Sequence, residues 1–221
     1  MLDPAPKEGA LLPCLTETAI IRFLRGEDHD TEKCISMITK YLQWRMSINA
    51  DYIDPNSFKK ESDKKKFECG PNMRSLDGRP IMYYFGARHN KNDRDVDMIK
   101  AQVALTMDTL VFLYSIPKDE RITAVIDLGN LSFSNMDYEV IKEFAGILQN
   151  NYSDTLNTAL IVDPPMLFSA CWAIIKPWLD PVVAAKIRFI KRGEIHNFID
   201  MSINNKNNVP LERMDKYFIK S

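Results

Sequence analysis

Asp127 and Asp163 each follow a short run of β-branched and aliphatic residues, so they fall where the carboxyl ends of strands place reactive side chains in α/β proteins. A carboxylate pair there could move a proton or hold a metal. Each also suits a plainer role, ending a strand or capping the next element, and neither is accompanied by a recognisable phosphate, metal or nucleophile partner. The three histidines, His29, His89 and His196, stand alone, outside any HxxxH or HExxH frame. Cys14, Cys34, Cys69 and Cys171 lie far apart with no CxxC pair, which indicates buried free thiols instead of a zinc site or a disulfide framework. The eight glycines form no GxGxxG, GxxxxGK[ST] or GxSxG, so a nucleotide phosphate has no cradle. No catalytic residue, metal or cofactor is expected.

The segment Pro164 to Leu179, PPMLFSACWAIIKPWL, is unusual for another reason. It is too polar to span a bilayer and too apolar for an ordinary surface helix. Met166, Leu167, Phe168, Trp172, Ile174, Ile175, Trp178 and Leu179 cover more than one helical face, so one side can pack inward while another meets a ligand or lipid headgroups. A fully buried core helix with Lys176 reaching out to water is the competing reading.

The elements that must position these residues change character along the chain. Thr16 to Arg25 reads as a helix with Ala19, Ile20, Phe23 and Leu24 on one face, ending near Gly26. Asp30 and Thr31 offer cap oxygens to a second helix whose Cys34, Met37, Ile38, Tyr41 and Leu42 form a stripe. Residues 51–63 are polar and carry Pro55, and Lys59, Lys60, Lys64, Lys65 and Lys66 form a charge-rich stretch that reads as a linker or exposed helix and could attract an anionic membrane. The expected division is a helical region over 1–63 and a second domain over 64–221. After Gly78, short strands at Ile81–Phe85, Ile122–Leu128, Thr158–Val162 and Ile187–Ile190 alternate with helices at Met98–Tyr114 and Tyr138–Gln149, the pattern of βαβ units and a mainly parallel sheet covered by helices on both faces.

Composition bounds the rest. Hydrophobic residues make up 45% and charged residues 27% of 221 positions, and the net charge is −1. That is enough apolar chain for a real core and no overall field for nucleic acid. No run approaches the ~18 apolar residues of a membrane span. A cytosolic monomer is the expectation.

Three ordered stretches resemble the CRAL-TRIO family of lipid-binding domains, including the yeast-type phosphatidylinositol/phosphatidylcholine transfer proteins: IIRFLRGEDHD at Ile20–Asp30 with a helix ending in Trp44 and Arg45; DGRPIMYY from Asp77 with VIDLGNLSFS at Val125–Ser134; and Asn151–Ile190 with its KPxLxP ending. The resemblance implies an α/β CRAL-TRIO fold, an N-terminal helical lid region, and a mainly parallel sheet flanked by helices that enclose an apolar cavity for one lipid, with no cofactor. Pro164–Leu179 would be the gate, with Phe168, Trp172, Ile174, Ile175, Trp178 and Leu179 facing cavity or membrane, and the protein would meet a membrane surface transiently. The family's headgroup positions are matched by Tyr84, Ser132 and Ser134, and for an inositol phosphate by Asp154 and Lys176. Other members of the fold act as non-transferring membrane-recruitment or protein-interaction scaffolds, and an α/β enzyme using Asp127 and Asp163 is the remaining alternative.

Two departures qualify the match. Inositide-binding members carry a basic pair after the RFLRA-type segment, whereas here Glu27 and Asp28 stand there and would repel a phosphate. The C-terminal segment Val209–Met214 also lacks the family's proline-led run with paired glycines.

Overall fold

The computed structural model describes residues 14–117 and 119–200; the Val209–Met214 segment lies outside them. Helix α1 (Glu17–Gly26) starts where Thr16 Oγ1 accepts the amide of Ala19 at 3.0 Å, and α2 (Thr31–Ser47) where Asp30 accepts those of Glu32 and Lys33 at 3.1 Å. Their apolar faces meet in a cluster built on Cys14, Phe23, Cys34 and Tyr41, joined by Met37, Ile38, Trp44 and Phe112. A short helix α3 (Lys59–Ser62) leads into β1 (Phe67–Arg74).

Five strands come next in the order β1-β2-β3-β4-β5, with β2 (Pro80–Phe85), β3 (Ile122–Asp127), β4 (Leu156–Val162) and β5 (Ile187–Ile190) parallel and β1 antiparallel to β2. Parallel neighbours need crossovers. These are α4 (Val96–Asp108), α5 (Tyr138–Asn151), and α6 (Met166–Ile175) with α7 (Pro181–Ala185). Strand β1 is absent from the sequence expectation, because Gly70, Pro71 and Asn72 interrupt it. An edge strand tolerates them: Pro71 and Asn72 are exposed and the register with β2 shifts between Cys69 and Arg74. The expected helix through Tyr114 divides into α4 and a π turn over Thr109–Leu113, which ejects Leu113 into solvent while Leu110 stays buried.

Side chains alternate across the sheet. Met82, Tyr84, Ala124, Ile126, Ala159, Ile161, Ile187 and Phe189 are paired on one face, which α4, α5 and α6 cover. The opposite face, with Ile81, Tyr83, Phe85, Val125, Leu160 and Val162, is covered among the described residues by Met73, Ile195, Phe198 and Ile199. In place of the expected helices on both faces, the crossover helices share one. The strands still read as continuous apolar runs, because Met73 of β1, the 3-10 turn at Arg192–Asn197 and the residues after it remove water from the second face as a crossover helix would.

The N-terminal helices are fastened by buried ions. Arg22 is fully buried and gives Nε to Glu120 Oε2 at 2.9 Å and Nη1 to the Ser153 carbonyl and Thr155 Oγ1 at 3.0 and 3.3 Å. Arg45 pairs with both Asp108 oxygens at 3.1 and 2.9 Å, and Tyr152 donates to Asp108 at 2.8 Å. The lysine stretch matches the expected exposed helix at Lys59 and Lys60 of α3 and departs from it further on. Lys66 and Glu61 form a buried pair, Lys64 joins Glu61 at 2.9 Å, Lys60 meets Asp93 at 2.8 Å, and Lys59 meets Asp63 at 2.8 Å. A charge-rich run read by composition as solvated therefore enters the fold where Glu61 supplies the counter-charge.

Candidate functional site

The crossover-covered face of the sheet has two hydrophobic cores instead of one. The first gathers Phe67, Met82, Val103, Met107, Ala124, Ile147 and Tyr152; the second gathers Leu128, Leu131, Ile161, Phe168, Cys171 and Ile175. Along their border, Tyr84 and Ile126 are register partners on central strands, yet both are only half-buried, as are Ile141 and Phe144 of α5 above them. Aliphatic and aromatic side chains at the middle of a covered sheet are normally closed off from solvent. Tyr84 packs against Phe67 and Phe144 with centroids 5.0 and 5.9 Å away, and burial raises its phenol pKa, so it remains a neutral donor.

A pocket of about 470 Å³ opens onto the same face from the amino ends of β3 and β4. Met82, Met107, Ile122 and Ala124 form its apolar part, Leu148 and Val183 its sides, and Arg25, Glu27, Asp28, Asp154, Asp180 and Lys186 its charged rim. Asp154 accepts from Arg25 Nε at 2.8 Å and lies 3.6 Å from Lys186 Nζ. Gly26 lets α1 approach this rim, since a Cβ there would lie 1.9 Å from Ser153 Oγ. Counted by charge, two cations face four acids, so the rim is no ready phosphate site. Arg25 and Lys186 are not among the residues that the sequence singles out. Arg25 belongs to the RFLR stretch, and that placement is the signal that could have found it.

The other anticipated headgroup residues are spread out. Ser132 and Ser134 lie together, hydroxyls 2.8 Å apart, on an exposed turn that Ser132 and Asn135 close with a capping box. Lys176 is exposed at the end of α6, where its amide donates to the Trp172 carbonyl.

Helix α6 carries apolar side chains on both sides. Phe168, Cys171 and Ile175 point into the second core, while Met166 is 93% and Ile174 49% exposed. Trp172 is half-buried, stacked on Phe168 at 6.3 Å and edge-on to Phe189 at 5.3 Å. A 3-10 turn at Lys176–Trp178 continues the helix; Trp178 and Leu179 are half-buried, and Trp178 lies edge-on to Tyr138 at 6.1 Å. With exposed Val182 and Phe189, this end of the molecule presents an apolar margin.

Asp127 and Asp163 are joined through Arg192, whose Nη2 reaches the Asp127 oxygens at 2.7 and 2.8 Å and whose Nε reaches Asp163 at 3.0 Å. Gly129 gives its amide to Asp127 at 2.9 Å, and a Cβ at that position would crowd the guanidinium at 2.9 Å. A carboxylate pair so engaged ties the ends of β3 and β4 to the chain after β5. His89 is buried against Asp137 at 3.0 Å; burial lowers its pKa, while Asp137, raised by burial, is held below the usual carboxylate range by bonds from Arg94 and His89. All four cysteines are free and buried, the Cys69 thiol being pushed up to about 12 by desolvation. Among the described residues, no acidic, histidine or cysteine cluster could hold a metal, and no helix is long and apolar enough to cross a membrane.

The CRAL/TRIO domain profile matches residues 64–207. A CRAL-TRIO domain-containing protein of Schizosaccharomyces pombe is 29% identical over 182 residues, covering 78% of this chain and 40% of the relative. A phosphatidylinositol transfer protein of Eremothecium gossypii is 29% identical over 194 residues, covering 83% and 44%, and a phosphatidylinositol/phosphatidylcholine transfer protein of Arabidopsis thaliana is 26% identical over 194 residues, covering 77% and 34%. The chain thus spans less than half the length of these curated relatives. The crystal structure of Sfh5 aligns with a TM-score of 0.67 at 15% identity, over 83% of this chain and 67% of that one, which is a likeness of fold. With the profile running through all five strands and the crossover helices between them, the chain belongs to the CRAL-TRIO family.

Proposed function

We propose that this chain binds one hydrophobic lipid between the sheet and α5–α6 and exchanges it during transient contact with a membrane, α6 and the following 3-10 turn acting as the gate. The observation that carries this is the half-burial of Tyr84 and Ile126 at the centre of a covered sheet, between two apolar clusters whose buried residues stay separate and that meet at half-buried Ile187. Its relatives' names point the same way, two of them describing phosphatidylinositol or phosphatidylcholine transfer.

The energetics require an enclosed site. Removing an acyl chain from a bilayer costs ~0.8 kcal/mol per methylene, roughly 12 kcal/mol for sixteen carbons, and only apolar walls around most of the chain offset that. Met82 and Met107, which line the pocket, together with Ile126, Phe144 and Phe168 of the adjoining clusters would supply such walls. The headgroup would lie near the charged rim or near Ser132 and Ser134; with Glu27, Asp28 and Asp180 beside Arg25 and Lys186, a zwitterionic or uncharged headgroup suits the rim better than an inositol phosphate.

The test is native mass spectrometry of the purified chain before and after incubation with phosphatidylcholine vesicles. One added lipid per chain is expected. A chain that neither retains nor takes up any hydrophobic molecule would sink the transfer reading and favour a scaffold of the same fold.

A further inference from the structure

The chain between α6 and α7 is short of hydrogen bonds of its own. Pro177 and Pro181 bracket it, and neither has an N–H to give. Leu179 and Asp180 are extended, with φ, ψ of −95°, 140° and −56°, 141°, so the helical ladder stops between the two prolines. The Leu179 amide bonds back to the Lys176 carbonyl at 3.1 Å. The groups on either side of Leu179 find their partner in another helix. Gln149 Nε2 donates to the Trp178 carbonyl at 3.2 Å, and Gln149 Oε1 accepts the Asp180 amide at 2.5 Å.

A single primary amide thus grips an acceptor and a donor that flank one extended residue, a task for which a carboxamide has both halves and a carboxylate only one. Gln149 lies in the last turn of α5, half-buried, in the wall of the pocket beside Asp180 and Val182. Downstream, Asp180 starts α7 by accepting the Val182 amide at 2.7 Å. Upstream, α6 meets the second core through Phe168, Cys171 and Ile175, mostly by contacts without direction, with a hydrogen bond between the Cys171 thiol and the Tyr138 hydroxyl as its polar tie to α5. Rotation about Leu179 and Asp180 therefore breaks both Gln149 bonds together, and hinge positions of this kind absorb the backbone change when an element swings.

We propose that Gln149 is a latch: its carboxamide fixes the hinge at Leu179–Asp180 and sets how fast α6 opens. The inference rests on reading α6 as the gate, but its first test does not. Deuterium uptake of the lipid-free protein is followed over residues 176–186 in Gln149→Met, which loses both bonds at similar length, and in Gln149→Glu, which keeps the shape and the acceptor but loses the donor. Uptake there should quicken roughly fivefold to tenfold in the first and by less in the second, where the Asp180 amide keeps its acceptor, with α1 and α4 exchanging at the wild-type rate. Unchanged uptake over 176–186, or an equal rise along the whole chain, overturns the latch. Phosphatidylcholine exchange between vesicles then separates the two ideas: faster exchange in both variants joins latch to gate, whereas a quickened hinge with wild-type exchange leaves the latch standing and removes α6 as the gate.

Discussion

Replacing Arg22 with Met should destabilise the chain far more than replacing Arg25, although both belong to the same RFLR stretch. Arg22 is fully buried, its partner Glu120 is 4% exposed, and the guanidinium also satisfies the Ser153 carbonyl and Thr155 Oγ1. Taking the cation away leaves Glu120 buried with Thr16 Oγ1 at 3.3 Å as its remaining side-chain donor. Breaking a buried pair from one side costs about 3–5 kcal/mol, because one charge stays in a poor solvent without a counter-ion. For a chain of this size that lowers Tm by roughly 6–20 °C. Arg25 and Asp154 keep 31% and 20% of their side-chain surface in water, so Arg25→Met should cost about 1 kcal/mol or less. The assay is thermal unfolding tracked by circular dichroism, with a cycle adding Glu120→Gln. Neutralising Glu120 in the Arg22→Met background should recover a large share of the loss. If Arg22→Met costs under 1 kcal/mol, or the second substitution recovers nothing, the pair does not anchor α1 and the pocket wall it carries depends on apolar contact alone.

Ile174→Ser should leave stability within about 0.5 kcal/mol, since the side chain is already 49% exposed, yet slow vesicle-to-vesicle lipid transfer roughly fivefold to tenfold through lost apolar contact with the bilayer; unchanged transfer would remove Ile174 from the membrane contact. Ile175 is a poorer probe, because it is buried and its replacement perturbs the core. Acidification should uncover His89: its folded pKa lies below the unfolded value of about 6.5, so the neutral ring's contribution is complete above that pH and is lost as pH falls through the depressed folded value. Asp137, lowered as well, yields its contribution only below the carboxylate range, so His89→Gln should flatten the urea midpoint between about pH 6.5 and 5 relative to wild type, and parallel curves would refute the assignment. Finally, Asp127→Asn with Asp163→Asn should retain lipid uptake while weakening the ties to Arg192; loss of uptake in a chain that still melts cooperatively would reinstate a direct role for the acids.

Legibility in the sequence depends on where the physics is local. Caps at Thr16 and Asp30 and the stripes of α2, α4 and α5 are set by near neighbours, so composition and spacing reveal them. Strand β1 escapes such a reading because its edge position excuses Gly70 and Pro71, a fact about the sheet and not about the segment. The lysine run misleads for a similar reason: Lys66 looks solvated until Glu61, five residues away and turned inward by α3, is brought to it. At the pocket rim, Asp154 is flagged by resemblance, but the cations beside it are Arg25 and Lys186, supplied by α1 and the end of α7; Lys176 lies apart. Only folding puts those distant positions around one carboxylate.

The distribution of interactions also bears on how the proposed gate and a stable fold could share one small sheet. Directional polar ties concentrate away from α6: buried Arg22 and Arg45 under the N-terminal helices, buried Glu61 with Lys66 before β1, and the partly exposed Arg192 across the ends of β3 and β4. Breaking one of the buried pairs strands a charge, so those regions move only at high cost. Helix α6 instead faces the sheet with Phe168, Cys171 and Ile175 and faces outward with Met166 and Ile174. Apolar burial is indifferent to partner, so if α6 acts as the proposed gate and exchanges sheet contacts for acyl chains, little free energy changes as long as no apolar surface meets water. Opening in solvent exposes both sides and is disfavoured; opening against a bilayer exposes neither. On the proposed reading, an all-round apolar helix, which looks like a surplus for a static core, would make membrane contact the condition for opening, and a charge introduced at exposed Ile174 should abolish that dependence by making the open state costly in lipid.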